Sequence, residues 1–151
     1  MEDEAPWYQV AFRLWGDDLP ISEIGPTLGV DPTYAALKGQ HYGHNPKYDC
    51  HPTNIWTWSI STDSSIPFEH QLESALNVLE SHASYVQQLL SSAGAGGDFF
   101  LAYSSDSGQG GADFSPRLLA RIARLGLSLC LDLYPPGATF DSAGSSRNTV
   151  S

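Results

Sequence analysis

Residues 127–134 read Leu-Ser-Leu-Cys-Leu-Asp-Leu-Tyr, an unbroken alternation. A period of two puts Leu127, Leu129, Leu131 and Leu133 on one side of an extended chain and Ser128, Cys130, Asp132 and Tyr134 on the other. Such a strand belongs in a sheet with one side covered. Residues 7–15 repeat the pattern, with Tyr8, Val10, Phe12 and Leu14 alternating with Trp7, Gln9, Ala11, Arg13 and Trp15. Both ends of the chain therefore predict half-buried strands, and the segments between them must supply the cover.

Those segments carry helical spacing. A short helix is expected around Ser22, with Ile21, Ile24 and Leu28 on one face, weakened by Gly25 and Pro26 and stopped by Gly29. From Pro67 to about Ser91, Phe68, Leu72, Ala75, Leu76, Leu79, Ala83, Val86 and Leu90 recur at helical intervals. One continuous helix of that span would be about 36 Å long. Ser115-Pro116 sets a cap and a first-turn proline for a third helix, buried through Leu118, Leu119, Ile122 and Leu125 and ended by Gly126. Two further strands are expected at 54–61, where Trp56, Trp58 and Ile60 alternate with Ile55, Thr57 and Ser59, and at 98–104. Residues 29–53 show no periodicity and are rich in Gly, Pro, His and Tyr, which suits a functional or mobile loop.

The resulting order is β-α-β-α-β-α-β. It predicts an α+β two-layer sandwich, a four-stranded sheet with helices on one face, ferredoxin-like or related, with the strand order left open. Strand, turn, Pro-led helix, Gly and apolar exit occur near both ends and hint at an internal repeat. Residues 1–134 form the expected single domain, and 135–151 read as a small, polar, disordered tail.

Charge narrows the partners. Seven Lys and Arg against seventeen Asp and Glu give a net charge of −10. Phosphate backbones and anionic membranes are bound through clustered basic residues, so neither nucleic acid nor a membrane is an expected partner. A basic protein surface is compatible, although net acidity also serves solubility alone. Two cysteines, Cys50 and Cys130, do not make a disulfide framework. An acidic N-terminus followed by no apolar stretch makes a cytoplasmic location the default expectation.

Three motifs in order carry a resemblance: Ser22-Glu23-Ile24 leading to Leu28-Gly29-Val30-Asp31-Pro32-Thr33 and Lys38-Gly39; Trp56-Thr57-Trp58; and Phe114-Ser115-Pro116 through Leu118-Leu119 to Leu125-Gly126-Leu127-Ser128-Leu129 and Leu131-Asp132-Leu133-Tyr134. Together they resemble the bacterial family labelled domain of unknown function 4279, over about Tyr8 to Tyr134. The resemblance implies a small stand-alone bacterial protein without an established activity, and it transfers no catalytic residue. Families of this kind are loosely associated with immunity proteins of toxin systems. The His-rich stretch after Gly39 looks peculiar to this chain.

No catalytic motif stands out and no cofactor is called for. His41, His44, Cys50 and His51 have the ligand types of a zinc site but not a standard spacing, and the competing reading is a His- and Tyr-rich surface loop. Cys50 beside a histidine could be a nucleophile only with an orienting third group. Gly108, Gly110 and Gly111 lack the Lys of a phosphate-binding loop and read as a turn. Arg117, Arg121 and Arg124 read as a solvated helix face. The sheet side opposite the apolar one is more informative. It gathers Trp7, Arg13, Trp15, Cys130, Asp132 and Tyr134, the residue types of contact hot spots. Either that side binds a protein partner or a second copy, or the 29–53 segment folds across it. The leading expectation is a non-enzymatic protein-binding module, concretely an immunity protein that occludes a basic toxin domain. The alternative is a metal- or small-ligand-binding protein, or an enzyme, centred on residues 29–53.

Overall fold

The computed structural model describes residues 6–105, 107 and 109–136. The expected tail beyond Pro136 and Gly108 of the glycine-rich turn lie outside the described residues. The strands are β1 (Trp7–Gly16), β2 (Tyr34–Ala36), β3 (Asn54–Ser59), β4 (Gly96–Ser104) and β5 (Ser128–Leu133). The helices are α1 (Ile21–Leu28), α2 (Phe68–Glu80), α3 (Ala83–Leu90) and α4 (Pro116–Arg124). The class is α+β, as expected, but the sheet has five strands in the order β2-β3-β1-β4-β5 rather than four, and the strict alternation fails. The additional strand is β2, whose three residues Tyr-Ala-Ala are too short to show a period.

β2–β3, β3–β1 and β1–β4 are antiparallel, and β4–β5 is parallel. The first four strands thus form a β-α-β-β-α-β unit: β1-α1-β2 is split by β3, and β3-α2-α3-β4 is split by β1. The crossover through α4 adds β5 outside β4.

A single core joins Val10, Phe12, Leu14, Trp56, Phe99 and Leu101 of the sheet to apolar residues of all four helices. All four helices therefore lie on one face. α1 ends as the sequence predicts, with Gly29 left-handed at φ 76° and its N–H donating to the Gly25 carbonyl. Gly25 itself must be small, because a Cβ there would sit 2.9 Å from the Val30 carbonyl. α4 begins as expected too: the Ser115 hydroxyl accepts from the Leu118 N–H at 3.1 Å.

Three expectations fail for local reasons, the smallest being Leu119 of α4, which is 42% exposed instead of buried. The single long helix is broken at Ser81-His82, where His82 leaves helical geometry (φ −127°, ψ 33°). The Ser81 hydroxyl bonds back to the Asn77 carbonyl at 3.0 Å, a contact that bends helices. The apolar spacing runs on through the break, so periodicity conceals it. The four leucines of the last strand do not all reach the core either. Leu127 is buried and Leu129 packs against the core, but Leu131 and Leu133 are 56% and 68% exposed. α4 has nine residues, about 13 Å of helix, and cannot cover the about 20 Å that β5 spans.

Candidate functional site

The second face of the sheet is where the candidate residues meet. Cross-strand register sets Tyr34, Thr57, Arg13, Asp98 and Ser128 in one row from edge to edge. Arg13 grips Asp98 with both arms, Nε to Oδ1 at 2.8 Å and Nη2 to Oδ2 at 2.6 Å. Its guanidinium carbon also lies 4.4 Å from the centre of the Phe100 ring. Asp98 is 4% exposed. Burial works against the charged guanidinium, yet the hydrogen bonds and attraction of Asp98, with a smaller contribution from Cys130, raise the Arg13 pKa above its ordinary value. The pair is a charged brace at the centre of the face.

The next rows are apolar at their centre, although Gln9 and Asp132 flank Ala102 on either side. Ala11, Phe100 and Ala102 are buried, with Trp7, Cys130 and Tyr134 packed against them. Trp7 and Tyr134 sit ring to ring at 5.4 Å, and the Ser104 hydroxyl donates to the Pro135 carbonyl at 2.9 Å. At the opposite end the Trp15 indole lies over Gly96, where any Cβ would come within 2.7 Å of the ring. Asp132 is half-buried opposite Ala102. Among the described residues, therefore, strand side chains and the residues flanking them cover this face, not a helix. Trp7, Arg13, Trp15, Asp132 and Tyr134 share it as the alternation predicts, all half-buried.

The 29–53 segment does not lie loose. It makes its own ladder at the β2 edge: His41 bridges Cys50, the Tyr42 N–H donates to the Asp49 carbonyl, and the His51 N–H donates to the Gln40 carbonyl. The Tyr34 hydroxyl accepts from the Gly43 N–H at 2.9 Å and shares a hydrogen bond with His51 Nε2 at 2.6 Å. Burial first, then the nearby His44, lower the His51 pKa. Tyr42 packs on the His51 ring at 4.1 Å. His41 Nδ1 must donate to the Tyr48 carbonyl at 2.6 Å, so that nitrogen cannot take a proton from the Cys50 thiol 3.6 Å away. His44 Nε2 donates to the Ala35 carbonyl. Among the described residues no three His, Cys, Asp or Glu side chains converge to hold a metal. His41, His44, Cys50 and His51 are instead spent on packing and hydrogen bonds.

Arg121 is not merely solvated: it forms a two-armed pair with Glu80 of α2 and also bonds Asn77. The alternation could not reveal Asp98, Phe100, Thr57 and Tyr34 as parts of the second face. The run Asp98-Phe99-Phe100-Leu101-Ala102 is apolar on both sides, and pairing Asp98 with Arg13 needs the strand order. The signal that existed was the lone Arg13 among apolar neighbours, which implied a carboxylate opposite.

The family model described as Domain of unknown function (DUF4279) matches residues 6–136, the span of this sheet and its helices. The chain belongs to this family. No curated protein and no solved structure matches the chain. The matched span of the DUF4279 chain includes the Arg13–Asp98 brace, the Trp7–Tyr134 pair and the 29–53 segment.

Proposed function

We propose that this DUF4279 chain is a non-enzymatic protein-binding module of the bacterial cytoplasm that uses the helix-free face of its sheet. The supporting observation is that, among the described residues, one face carries all four helices while the other sets Trp15, Arg13, Asp132 and the Trp7–Tyr134 pair around buried Phe100 without a helix over them. Aromatic rings held by a charged brace suit a preorganised contact surface, which loses little side-chain entropy on binding. The concrete form is an immunity protein that occludes a basic toxin domain. A net charge of −10 favours encounter with a basic partner and disfavours nucleic acid. Among the described residues no helix is long and apolar enough to cross a membrane.

The test uses Trp15→Ala and Asp132→Lys beside the wild type. Tagged protein is used to capture partners from the native host at low and high salt, and affinity for a captured basic protein is then measured. The reading expects salt-sensitive binding that weakens at least about tenfold in Trp15→Ala while the fold persists by circular dichroism. Wild-type affinity in both variants would remove this face as the binding surface.

A further inference from the structure

The outer edge of β5 differs from every other part of the sheet. The Tyr134 N–H donates to the Tyr103 carbonyl, which fixes the phase of the parallel ladder. Ser128, Cys130 and Asp132 turn their backbone groups toward β4, and Leu129, Leu131 and Leu133 turn theirs outward. None of these three leucines has a hydrogen-bond partner on the outer side among the described residues. Leu131 and Leu133 also carry exposed side chains. Edge strands are ordinarily guarded by charged side chains, lysine above all, by proline, by a bulge or by a covering segment. β5 reads Ser-Leu-Cys-Leu-Asp-Leu and keeps an unbroken register with β4, so half-buried Asp132 on the other face is its one guard of the first three kinds.

We propose that β5 is a homodimer edge, on which a second copy pairs its own β5 antiparallel about a two-fold axis at Leu131. The strand is complementary to itself in that register. Residue 131 lies opposite its own copy and residue 129 opposite 133, all with outward backbone groups, giving about six N–H···O bonds. The six leucines meet on the helix side and bury one another. On the other side Cys130 faces the partner's Asp132. An axis at Asp132 would set two carboxylates opposite each other, a pairing that sheets avoid. An axis at Cys130 would carry Leu133 past the partner strand. A net charge of −10 per copy repels, so salt should tighten the dimer. This edge borders the binding face proposed above and shares Cys130 and Asp132 with it, so Leu131 and Leu133, which lie on the helix side, are the residues that test it alone.

Sedimentation of the full chain across concentrations, at low and high salt, reads the assembly. The expected result is a dimer that strengthens with salt and that Leu131→Lys converts to monomer with an unchanged circular dichroism spectrum. Leu133→Lys, nearer the strand end, serves if Leu131→Lys does not fold. In a Cys50→Ser background, Cys130 and the partner's Cys130 are diagonal neighbours about 7–8 Å apart, so a short bismaleimide should join them. A wild-type chain that stays monomeric at roughly 100 μM, where even a weak specific dimer is populated, would overturn the proposal. So would a dimer that survives either lysine or forms no cross-link. A chain that dimerises only once residues beyond Pro136 are removed would also overturn it, assigning the edge to the chain's own C-terminal segment.

Discussion

The two faces of the sheet are held by different physics. On the helix side, Phe12, Leu14, Trp56, Phe99 and Leu101 vanish into a core completed by four helices. Burial there is non-directional, and its strength scales with the apolar area removed from water. On the other side, the interior consists of Ala11, Phe100 and Ala102 beside a bidentate ion pair and under the Trp7–Tyr134 ring pair. Stability there depends on angles and on charge. A face built that way is held rigid without a helix over it among the described residues, as the proposed contact surface requires.

The largest loss is expected on the apolar side. Phe12→Ala should cost about 3–5 kcal/mol in urea unfolding, because its ring packs against both Trp56 and Phe99. A much smaller loss would mean the helices do not dominate the fold. On the other side, Asp98→Ala should cost about 2–3 kcal/mol, less than for a fully buried pair because the Arg13 side chain remains 24% exposed. A neutral result would show that the brace contributes nothing. Gly96→Ala should destabilise by about 1 kcal/mol through the collision with the Trp15 indole, and adding Trp15→Ala should remove that increment in a double-mutant cycle. Independent effects would mean that the ring does not rest on Gly96.

The smallest effect concerns acid. The folded chain favours neutral His51, whose pKa lies below its ordinary value of 6.5. Its contribution is therefore complete above about pH 6.5 and is lost as pH falls below that value. Protonation makes both His51 ring nitrogens donors, so the Tyr34 hydroxyl could then only accept from Nε2, beside the Gly43 N–H that it already accepts from. Hydrogen-exchange protection of residues 37–53, taken relative to the intrinsic rate at each pH, should fall as pH drops below about 6.5, while protection in β1 and β4 stays constant. A uniform loss of protection would place the acid response elsewhere.

Much of this arrangement can be read directly from residue order. The alternation in 7–15 and 127–134 identifies β1 and β5 and assigns Trp7, Arg13, Trp15, Asp132 and Tyr134 to one face. Ser115-Pro116 marks the start of α4. What escapes is non-local or shorter than one period. β2 has three residues, the Ser81-His82 break preserves the apolar spacing, and the Arg13–Asp98 pair joins positions 85 residues apart. The exposure of Leu131 and Leu133 follows from the length of α4 relative to β5, a comparison that needs both in place. The roles of His41, His44 and His51 depend on which ring nitrogen donates, and residue type is silent on that.

The appended α4–β5 crossover has a consequence for the order of synthesis. Until β5 emerges, β4 is the border of the sheet, and its Phe-Phe-Leu-Ala-Tyr run at 99–103 is the sort of uncharged, β-prone segment that seeds aggregation. The nascent chain therefore carries its most adhesive stretch uncapped for the time it takes to make roughly thirty further residues, a few seconds at ordinary elongation rates. The last crossover acts as a built-in stopper, and a chain cut short before Pro116 would be left without it.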